Sequence, residues 1–154
     1  MDWCEENYVV VSFIAEFWNT VSNVLFIIIP PIMINRFRQY EQELNMPIRF
    51  VWALLMTVGI GSIYFHATLS LAGQLLDEIA ILWVVLAAWA LFVPETVVTS
   101  IFPSWFTRRH FYYFMLVSTV LLTLVCLVKP EMNHNALFVT SGPSIAFSII
   151  NVRT

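Results

Sequence analysis

A serine, a histidine and an aspartate interrupt a hydrophobic stretch of this sequence. Ser62 and His66 are four residues apart, so they share one face of a helix that contains both. Asp77 follows 11 residues after the histidine, with Glu78 beside it, where the next apolar run begins. Side chains that bind metals or move protons are costly in apolar surroundings and usually have a function there. The pattern indicates part of a metal or proton-transfer site.

Each of these residues also has a structural interpretation. A lone histidine can be a hydrogen-bonded interior residue, and Ser62 can bond its own helix backbone. Asp77 and Glu78 can be charges at a helix N-terminus, which the helix dipole favours. A catalytic zinc takes three protein ligands, whereas His66 and Asp77 supply at most two. Two interpretations of these residues therefore remain: part of a metal site, or a purely structural role.

The N-terminal segment is rich in oxygen ligands. It contains Asp2, Glu5, Glu6 and Asn7, and Glu16 follows at the start of the first apolar run. Calcium takes six to eight oxygen ligands of these kinds. A solvated acidic terminus is the alternative, although an unpaired carboxylate at the position of Glu16 is costly. A calcium site is therefore a second hypothesis.

Polar residues also follow Glu16 at helical spacing. Asn19, Thr20 and Asn23 lie three, four and seven residues after it, so they form one stripe of a helix. Hydrogen bonding to a neighbouring helix is the simpler explanation. We expect this stripe to face protein or water rather than lipid.

Composition sets the surroundings of these residues. Of 154 residues, 60% are hydrophobic and 11% are charged, and mean hydropathy is +0.81. A soluble domain has about a quarter of its residues charged, so we predict an integral membrane protein. The net charge of −3 argues against nucleic acid as a partner.

Hydropathy predicts an all-α polytopic transmembrane helix bundle. Spanning helices need about 20 mostly apolar residues. The predicted spans are 14–34, 50–71, 78–93 and 111–128, with a partial fifth over 136–152 that Ser141-Gly142-Pro143 interrupts. No second domain is expected.

Basic residues predict the orientation of the spans. Arg36, Arg38 and Arg49 fall in the first loop, and Arg108 and Arg109 fall in the third. The loop between the second and third spans has no Lys or Arg, and the N-terminal segment is acidic. The positive-inside rule therefore predicts a luminal or exterior N-terminus.

Depth within the membrane follows from the same loops. His66 comes 17 residues after Arg49, roughly 26 Å along a helix with a rise of about 1.5 Å per residue. Since the hydrocarbon core is about 30 Å thick, His66 is expected near the luminal end of its span. Asp77 and the acidic N-terminal segment are expected on that same side.

Four sequence blocks resemble those of the alkaline ceramidases, in the same order and at similar spacing. The blocks are Asp2-Trp3-Cys4-Glu5-Glu6-Asn7-Tyr8, Ala15-Glu16-Phe17-Trp18-Asn19-Thr20-Val21-Ser22-Asn23, Gly61-Ser62 to His66, and Gln74-Leu75-Leu76-Asp77-Glu78. The similarity covers most of residues 2–94. It implies a seven-helix membrane fold with an intramembrane zinc. It also implies hydrolysis of the ceramide amide to sphingosine and a fatty acid.

The resemblance also implies roles for individual residues. His66 matches a zinc-binding histidine, Asp77 an aspartate at the zinc site, and Ser62 a serine beside it. Ser62 and Asp77 are therefore the catalytic candidates. The calcium-binding positions match Asp2, Trp3 (through its carbonyl), Glu5, Asn7 and Glu16.

The chain departs from the family pattern in its zinc ligands. The family's other ligands form a His-x-x-x-His pair in the last helix, and this sequence contains no such pair. We therefore interpret it as a C-terminally truncated chain, with activity expected from a full-length enzyme of the endoplasmic reticulum or Golgi. The alternative is a non-catalytic membrane protein that binds lipid or associates with other helices.

Overall fold

The protein is built from helices throughout the part of the chain that its structure describes. A computed structural model describes residues 5–44 and 47–152, and it contains no strand in these ranges. The helices are α1 (Phe17–Ser22), α2 (Leu25–Arg36), α3 (Arg38–Leu44), α4 (Ile48–Thr68), α5 (Leu71–Phe92), α6 (Glu95–Ile101), α7 (Arg108–Val128) and α8 (Asn133–Val152). A 3-10 turn, Pro130–Met132, precedes α8. The all-α prediction is confirmed.

Four helical segments are long and apolar enough to cross a membrane. They are Phe17–Arg36, Ile48–Thr68, Leu71–Phe92 and Arg108–Val128. The surface of α7 illustrates their character, because Leu116, Val120 and Leu124 lie on one face of the helix and all three are exposed. An exposed aliphatic stripe of this kind suits contact with lipid. The chain is a multi-pass membrane protein, as composition predicts.

The first span is two helices rather than the single segment predicted over 14–34. It begins at Phe17 and breaks after Ser22. At the break, the Asn23 side chain donates a hydrogen bond to the Asn19 carbonyl at 2.8 Å. Asparagine side chains compete with the backbone ladder in this way, which explains why the helix is interrupted there.

The third span begins at Leu71, so the prediction that it starts at residue 78 is wrong. Ser70 caps the helix, since its hydroxyl accepts a hydrogen bond from the Gly73 amide at 3.1 Å. Leu69, in the left-handed region with φ 48°, makes the tight turn from α4. The carboxylates suggested a later start, but the cap decides it. Asp77 therefore lies in the second turn of α5 rather than at its end.

The predicted interruption of the last helix at Ser141-Gly142-Pro143 is also wrong. Helix α8 runs from Asn133 through Pro143 to Val152. A proline removes one backbone donor, but a helix in apolar surroundings has no water to compete for the remaining groups. The hydroxyls of Thr140 and Ser141 bond carbonyls of their own helix, at 2.7 and 2.5 Å.

The chain divides into two compact units, Met1–Ile81 and Leu82–Thr154. In the first unit, α4 packs against both α1 and α2. In the second, α7 packs against α6 and α8. There, the Trp83 indole donates a hydrogen bond to the Thr123 hydroxyl at 2.9 Å. All the described candidate site residues belong to the first unit.

Candidate functional site

His66 lies in the last turn of α4 and is bound to a buried carboxylate. Its Nδ1 is 2.5 Å from Oε2 of Glu16, whose side chain has no exposed surface. An ionised carboxylate only accepts hydrogen bonds, so Nδ1 is the donor of this pair whenever Glu16 is ionised. In that tautomer a neutral imidazole presents the lone pair of Nε2, as metal-binding histidines do.

The backbone holds the same two residues together. The Glu16 amide donates to the His66 carbonyl at 2.9 Å, and the Ala15 amide donates to the Ala67 carbonyl at 3.0 Å. Glu16 has an extended conformation, with φ −116° and ψ 93°, immediately before α1. The segment that enters α1 is therefore fixed to the end of α4 by main-chain bonds as well as by the side-chain pair.

Ser62 and Asp77 meet beside this pair. Both side chains are buried, on α4 and α5 respectively. Ser62 makes a side-chain hydrogen bond to the Asp77 carboxylate, and His66 is close enough to interact with it electrostatically. Oδ1 of Asp77 is buried and has no hydrogen-bond partner. The three residues singled out by sequence spacing thus share one site, which contains an unused acceptor oxygen.

Two glycines allow α4 and α5 to approach closely enough for this contact. A Cβ on Gly61 would lie 3.1 Å from the Asp77 amide nitrogen and 3.2 Å from its Cα. A Cβ on Gly73 would lie 2.7 Å from the Cα of Phe65. Both neighbours are backbone atoms, so they cannot rotate away as a side chain could. A larger residue at either position would force the helices apart.

Glu5 connects the N-terminal segment to this site through α1. Its two carboxylate oxygens accept hydrogen bonds from the amides of Trp18 and Asn19, at 2.9 and 3.1 Å. A carboxylate on the first free amides of a helix is favoured by both hydrogen bonding and the helix dipole. The Asn19 side chain in turn donates to Oε2 of Glu16 at 3.0 Å. Glu5, Asn19, Glu16 and His66 therefore form a continuous polar chain.

The amino-acid sequence matches a known protein family. The model of the family Ceramidase matches residues 1–154. The chain belongs to the ceramidase family. It is 46% identical over 145 residues to an alkaline ceramidase of Drosophila melanogaster, covering 94% of this chain and 50% of that protein. It is 40% identical over 139 residues to alkaline ceramidase 1 of Homo sapiens, covering 89% of this chain and 51% of that protein.

More distant relatives show the same relation of lengths. An alkaline ceramidase of Caenorhabditis elegans is 34% identical over 146 residues, covering 92% of this chain and 53% of that protein. This ceramidase-family chain thus spans about half the length of the curated relatives it matches.

The zinc-type donors of this ceramidase-family chain do not complete a metal site by themselves. His66 and Asp77 are suitable ligands, but the described residues contain no group of three or more His, Cys, Asp or Glu side chains that could hold a metal ion. Three protein ligands are usual for a catalytic zinc. Within residues 5–44 and 47–152, the donor set is therefore partial.

The predicted calcium residues fall into two groups. Asp2 and Trp3 lie outside the described residues. Of the others, Glu16 has a buried oxygen, Oε1, with no hydrogen-bond partner, whereas both oxygens of Glu5 bind amides of α1. Asn7 is half-buried in the turn after Glu5. Glu16 is the member of this set whose free acceptor best fits a cation.

The bond between Glu16 and His66 was not predicted. Glu16 was a calcium candidate and His66 a zinc candidate, and the two are 50 positions apart. No periodicity connects positions so far apart. The capping role of Glu5 was not predicted either, because no local pattern connects Glu5 to Trp18, which lies 13 positions later.

His110 and His134 are both exposed and lie in the second unit, whereas the described candidate site residues belong to the first. His110 nevertheless has a structural role, because its Nδ1 accepts a hydrogen bond from the Thr107 amide in a box that begins α7.

Proposed function

We propose that this chain forms part of an enzyme that hydrolyses the amide bond of ceramide to sphingosine and a free fatty acid. The proposal rests on one observation: Ser62, His66 and Asp77 lie close together in a chain of the ceramidase family. The curated relatives are named alkaline ceramidases. Membrane helices around the site suit a lipid substrate.

A zinc ion held by His66, with Asp77 at its site, would supply a water of lowered pKa and would polarise the amide carbonyl. The described residues provide two such donors, so the proposal requires further ligands from outside them. Calcium is proposed as a second cofactor, structural or regulatory, with ligands drawn from Asp2, Trp3, Glu5, Asn7 and Glu16. The unused Oε1 of Glu16 supports it.

The side chains suit the proton transfers of amide hydrolysis. The oxygen of a water molecule bonds to the carbonyl carbon, the C–N bond breaks, and the amine nitrogen takes a proton. Oδ1 of Asp77, an acceptor without a partner, would remove the proton of the attacking water and return it to the leaving amine. The Ser62 hydroxyl has one proton, which it shares with the Asp77 carboxylate. As Asp77 takes the proton of the attacking water, the Ser62 hydroxyl would turn to donate to the developing oxyanion.

Glu16 would act through His66 rather than on the substrate. Its Oε2 fixes the orientation and tautomer of the imidazole, as partners of metal-binding histidines do. Because Asn19 and the α1 segment hold Glu16, the N-terminal segment would contribute to the geometry of the reacting centre.

The proposed location is the endoplasmic reticulum or the Golgi, with the N-terminus in the lumen. The distribution of arginines supports this orientation. Arg36, Arg38 and Arg49 lie at helix ends around the connection between the first two spans, and Arg108 and Arg109 lie at the start of α7.

Ceramide hydrolysis by two forms tests the proposal. The first is this chain in membranes of cells that lack alkaline ceramidase activity. The second joins this chain to the part of the Drosophila relative that it does not match. We expect sphingosine release from the joined form, measured by mass spectrometry, and loss of that release on His66→Gln.

His134→Gln is the matched control, because His134 is an exposed histidine in the other unit. It should leave release unchanged. A joined form that inserts in the membrane but releases no sphingosine would overturn the proposed function. Equal activity of the two histidine variants would reject the role of His66.

The alternative, a non-catalytic membrane protein that binds lipid or associates with other helices, is favoured by one observation. The donor set of the described residues is partial. Ceramide binding without sphingosine release by both forms would support it.

A further inference from the structure

The connection between α5 and α7 (residues 94–107) contains a short amphipathic helix. Helix α6 has seven residues, which at about 1.5 Å per residue is roughly 10 Å and too short to span a membrane. Val97, Val98 and Ile101 lie on one face by their spacing. The opposite face carries Thr96 and Ser100, both exposed. The connection therefore has one apolar side and one polar side.

Arg108 fixes this connection to the ends of the two helices that it joins. Its guanidinium donates hydrogen bonds to the carbonyls of Ala90 and Leu91, at 2.7 and 3.0 Å. It donates a third to the carbonyl of Val93 and lies over the ring of Tyr112, 5.0 Å from its centroid. These carbonyls end α5, so an arginine satisfies groups that water would otherwise bind. The connection is thus held between the end of α5 and the start of α7.

Some of the aromatic residues in the connection pack inward. Phe102 stacks on Phe106, with 4.2 Å between ring centroids and an interplanar angle of 14°. Phe102 also meets Phe111 and Phe114 edge-on. Val98, only 1% exposed, is the buried anchor of α6. The apolar side of the connection is therefore packed at its centre.

Two large side chains of the same connection remain exposed. Ile101 is 68% exposed and Trp105 is 67% exposed. Both border the aromatic cluster around Phe102, since Ile101 lines a cavity beside Phe102 and Trp105 meets Phe106 and His110 edge-on. Most of each side chain nevertheless lies outside the cluster. Tryptophan carries a large apolar ring and one polar N–H, a combination enriched at the boundary between lipid and water.

We propose that residues 94–107 form an interfacial element, which inserts Ile101 and Trp105 into the headgroup–acyl boundary of the leaflet where α5 ends and α7 begins. Both of these helices are candidate membrane spans, so their ends lie at the membrane surface. Lipid is therefore the medium continuous with the exposed side chains. The polar residues of α6 face water. The inference rests on the membrane assignment and not on the proposed enzymatic activity.

The partner is a phospholipid surface bound by apolar insertion rather than by charge. Glu95 and Arg109 are exposed near the two ends of the connection, and their charges are opposite. Attraction to anionic headgroups needs a surplus of basic residues, which this connection lacks. Insertion should therefore be equal in zwitterionic and anionic membranes.

Environment-sensitive labels test the insertion. In a Cys4→Ser/Cys126→Ser background, single cysteines replace Ile101, Trp105, Thr96 and Ser100 in turn and receive the fluorophore NBD. The proteins are placed in phosphatidylcholine nanodiscs, with and without phosphatidylserine. We expect blue-shifted emission at 101 and 105, several-fold stronger quenching by spin-labelled lipid than at 96 and 100, and the reverse order for aqueous iodide.

Ser100 is the matched control for Ile101, because it is the adjacent exposed residue on the polar face. Iodide accessibility at 101 and 105 equal to that at 100 would overturn the proposal, as would lipid quenching that requires phosphatidylserine.

A second measurement needs no label. Trp105→Phe should leave the absolute tryptophan fluorescence that iodide quenches unchanged, so the quenched fraction of the remaining emission rises. A decrease in the quenched signal would show that Trp105 faces water.

Discussion

At the scale of single residues, Glu16 is the most constrained group of the site. Its side chain is wholly buried, and one oxygen joins His66 to Asn19 while the other has no partner. A buried carboxylate with an unsatisfied oxygen is costly, and a bound cation would relieve that cost. Removing the charge of Glu16 is therefore the most direct test of whether this site binds a cation.

Glu16→Gln should weaken zinc binding by roughly 10- to 100-fold, the usual effect of mutating the residue that orients a metal-binding histidine. The amide retains the size of the side chain but not its charge. Zinc content of the joined form, titrated against a zinc buffer and measured by mass spectrometry, gives the affinity.

Glu43→Gln is the control, since Glu43 is an exposed glutamate in α3. Equal zinc affinity of the two variants contradicts the role of Glu16 in orienting His66.

Glu5→Gln should loosen the start of α1 by about 1 kcal/mol, because an amide accepts with one oxygen only and lacks the charge that the helix dipole favours. Hydrogen exchange at the Trp18 and Asn19 amides, the donors to Glu5, should become faster. Glu6→Gln, at an exposed neighbour, should leave both rates unchanged. Acceleration by both variants would indicate a general charge effect.

The sequence could predict that Ser62, His66 and Asp77 lie close together, because a four-residue spacing and a short turn are local properties. Their role in a catalytic site stays a prediction. The bond between Glu16 and His66 depends on where the N-terminal segment meets the end of α4. Since that contact is set by packing, no local pattern records it.

At the scale of helices, the approach of α4 to α5 depends on the two glycines at their contact. Gly73→Ala would place a methyl group 2.7 Å from the Cα of Phe65. We expect destabilisation of about 1–3 kcal/mol, typical of overpacking, and loss of the contact between Ser62 and Asp77. Thermal unfolding and sphingosine release from the joined form measure the two effects.

Gly142→Ala is the matched control, because a Cβ at Gly142 meets nothing within 4 Å. Alanine should there stabilise α8 by up to about 1 kcal/mol, since it favours helix over glycine. Full activity and stability of Gly73→Ala would show that the helices can separate without affecting the site.

Helix boundaries were the least predictable feature at this scale. Hydropathy and charge suggested that the third span begins at residue 78, but Ser70 and the left-handed Leu69 determine its start at Leu71. Proline similarly suggested an interruption in α8 that does not occur. The Ser70 cap determines where α5 begins more strongly than the carboxylates of Asp77 and Glu78 do, because it satisfies a specific backbone donor, the Gly73 amide.

At the scale of the whole molecule, four spans were predictable because apolar runs of about 20 residues have few other structural solutions. The same runs do not predict how the spans pack, since lipid and protein interiors are similarly apolar. The chain also spans about half the length of its relatives. The proposed zinc site would need ligands beyond His66 and Asp77, because the described residues contain no group of three or more potential metal ligands.

Orientation in the membrane is the property of the whole molecule that charge predicts most directly. In a cysteine-free background within sealed microsomes, a cysteine at Glu43 or Ser104 should react with a membrane-impermeant maleimide. A cysteine at Leu71 should react only after detergent is added. All three positions are exposed, so the difference reports sidedness rather than burial. The physical reason is that basic loops are retained in the cytosol, which places the turn before α5 and the site residues beside it on the luminal side. Labelling of Leu71 before detergent, with protection of Glu43 and Ser104, contradicts the luminal N-terminus while leaving the four spans intact.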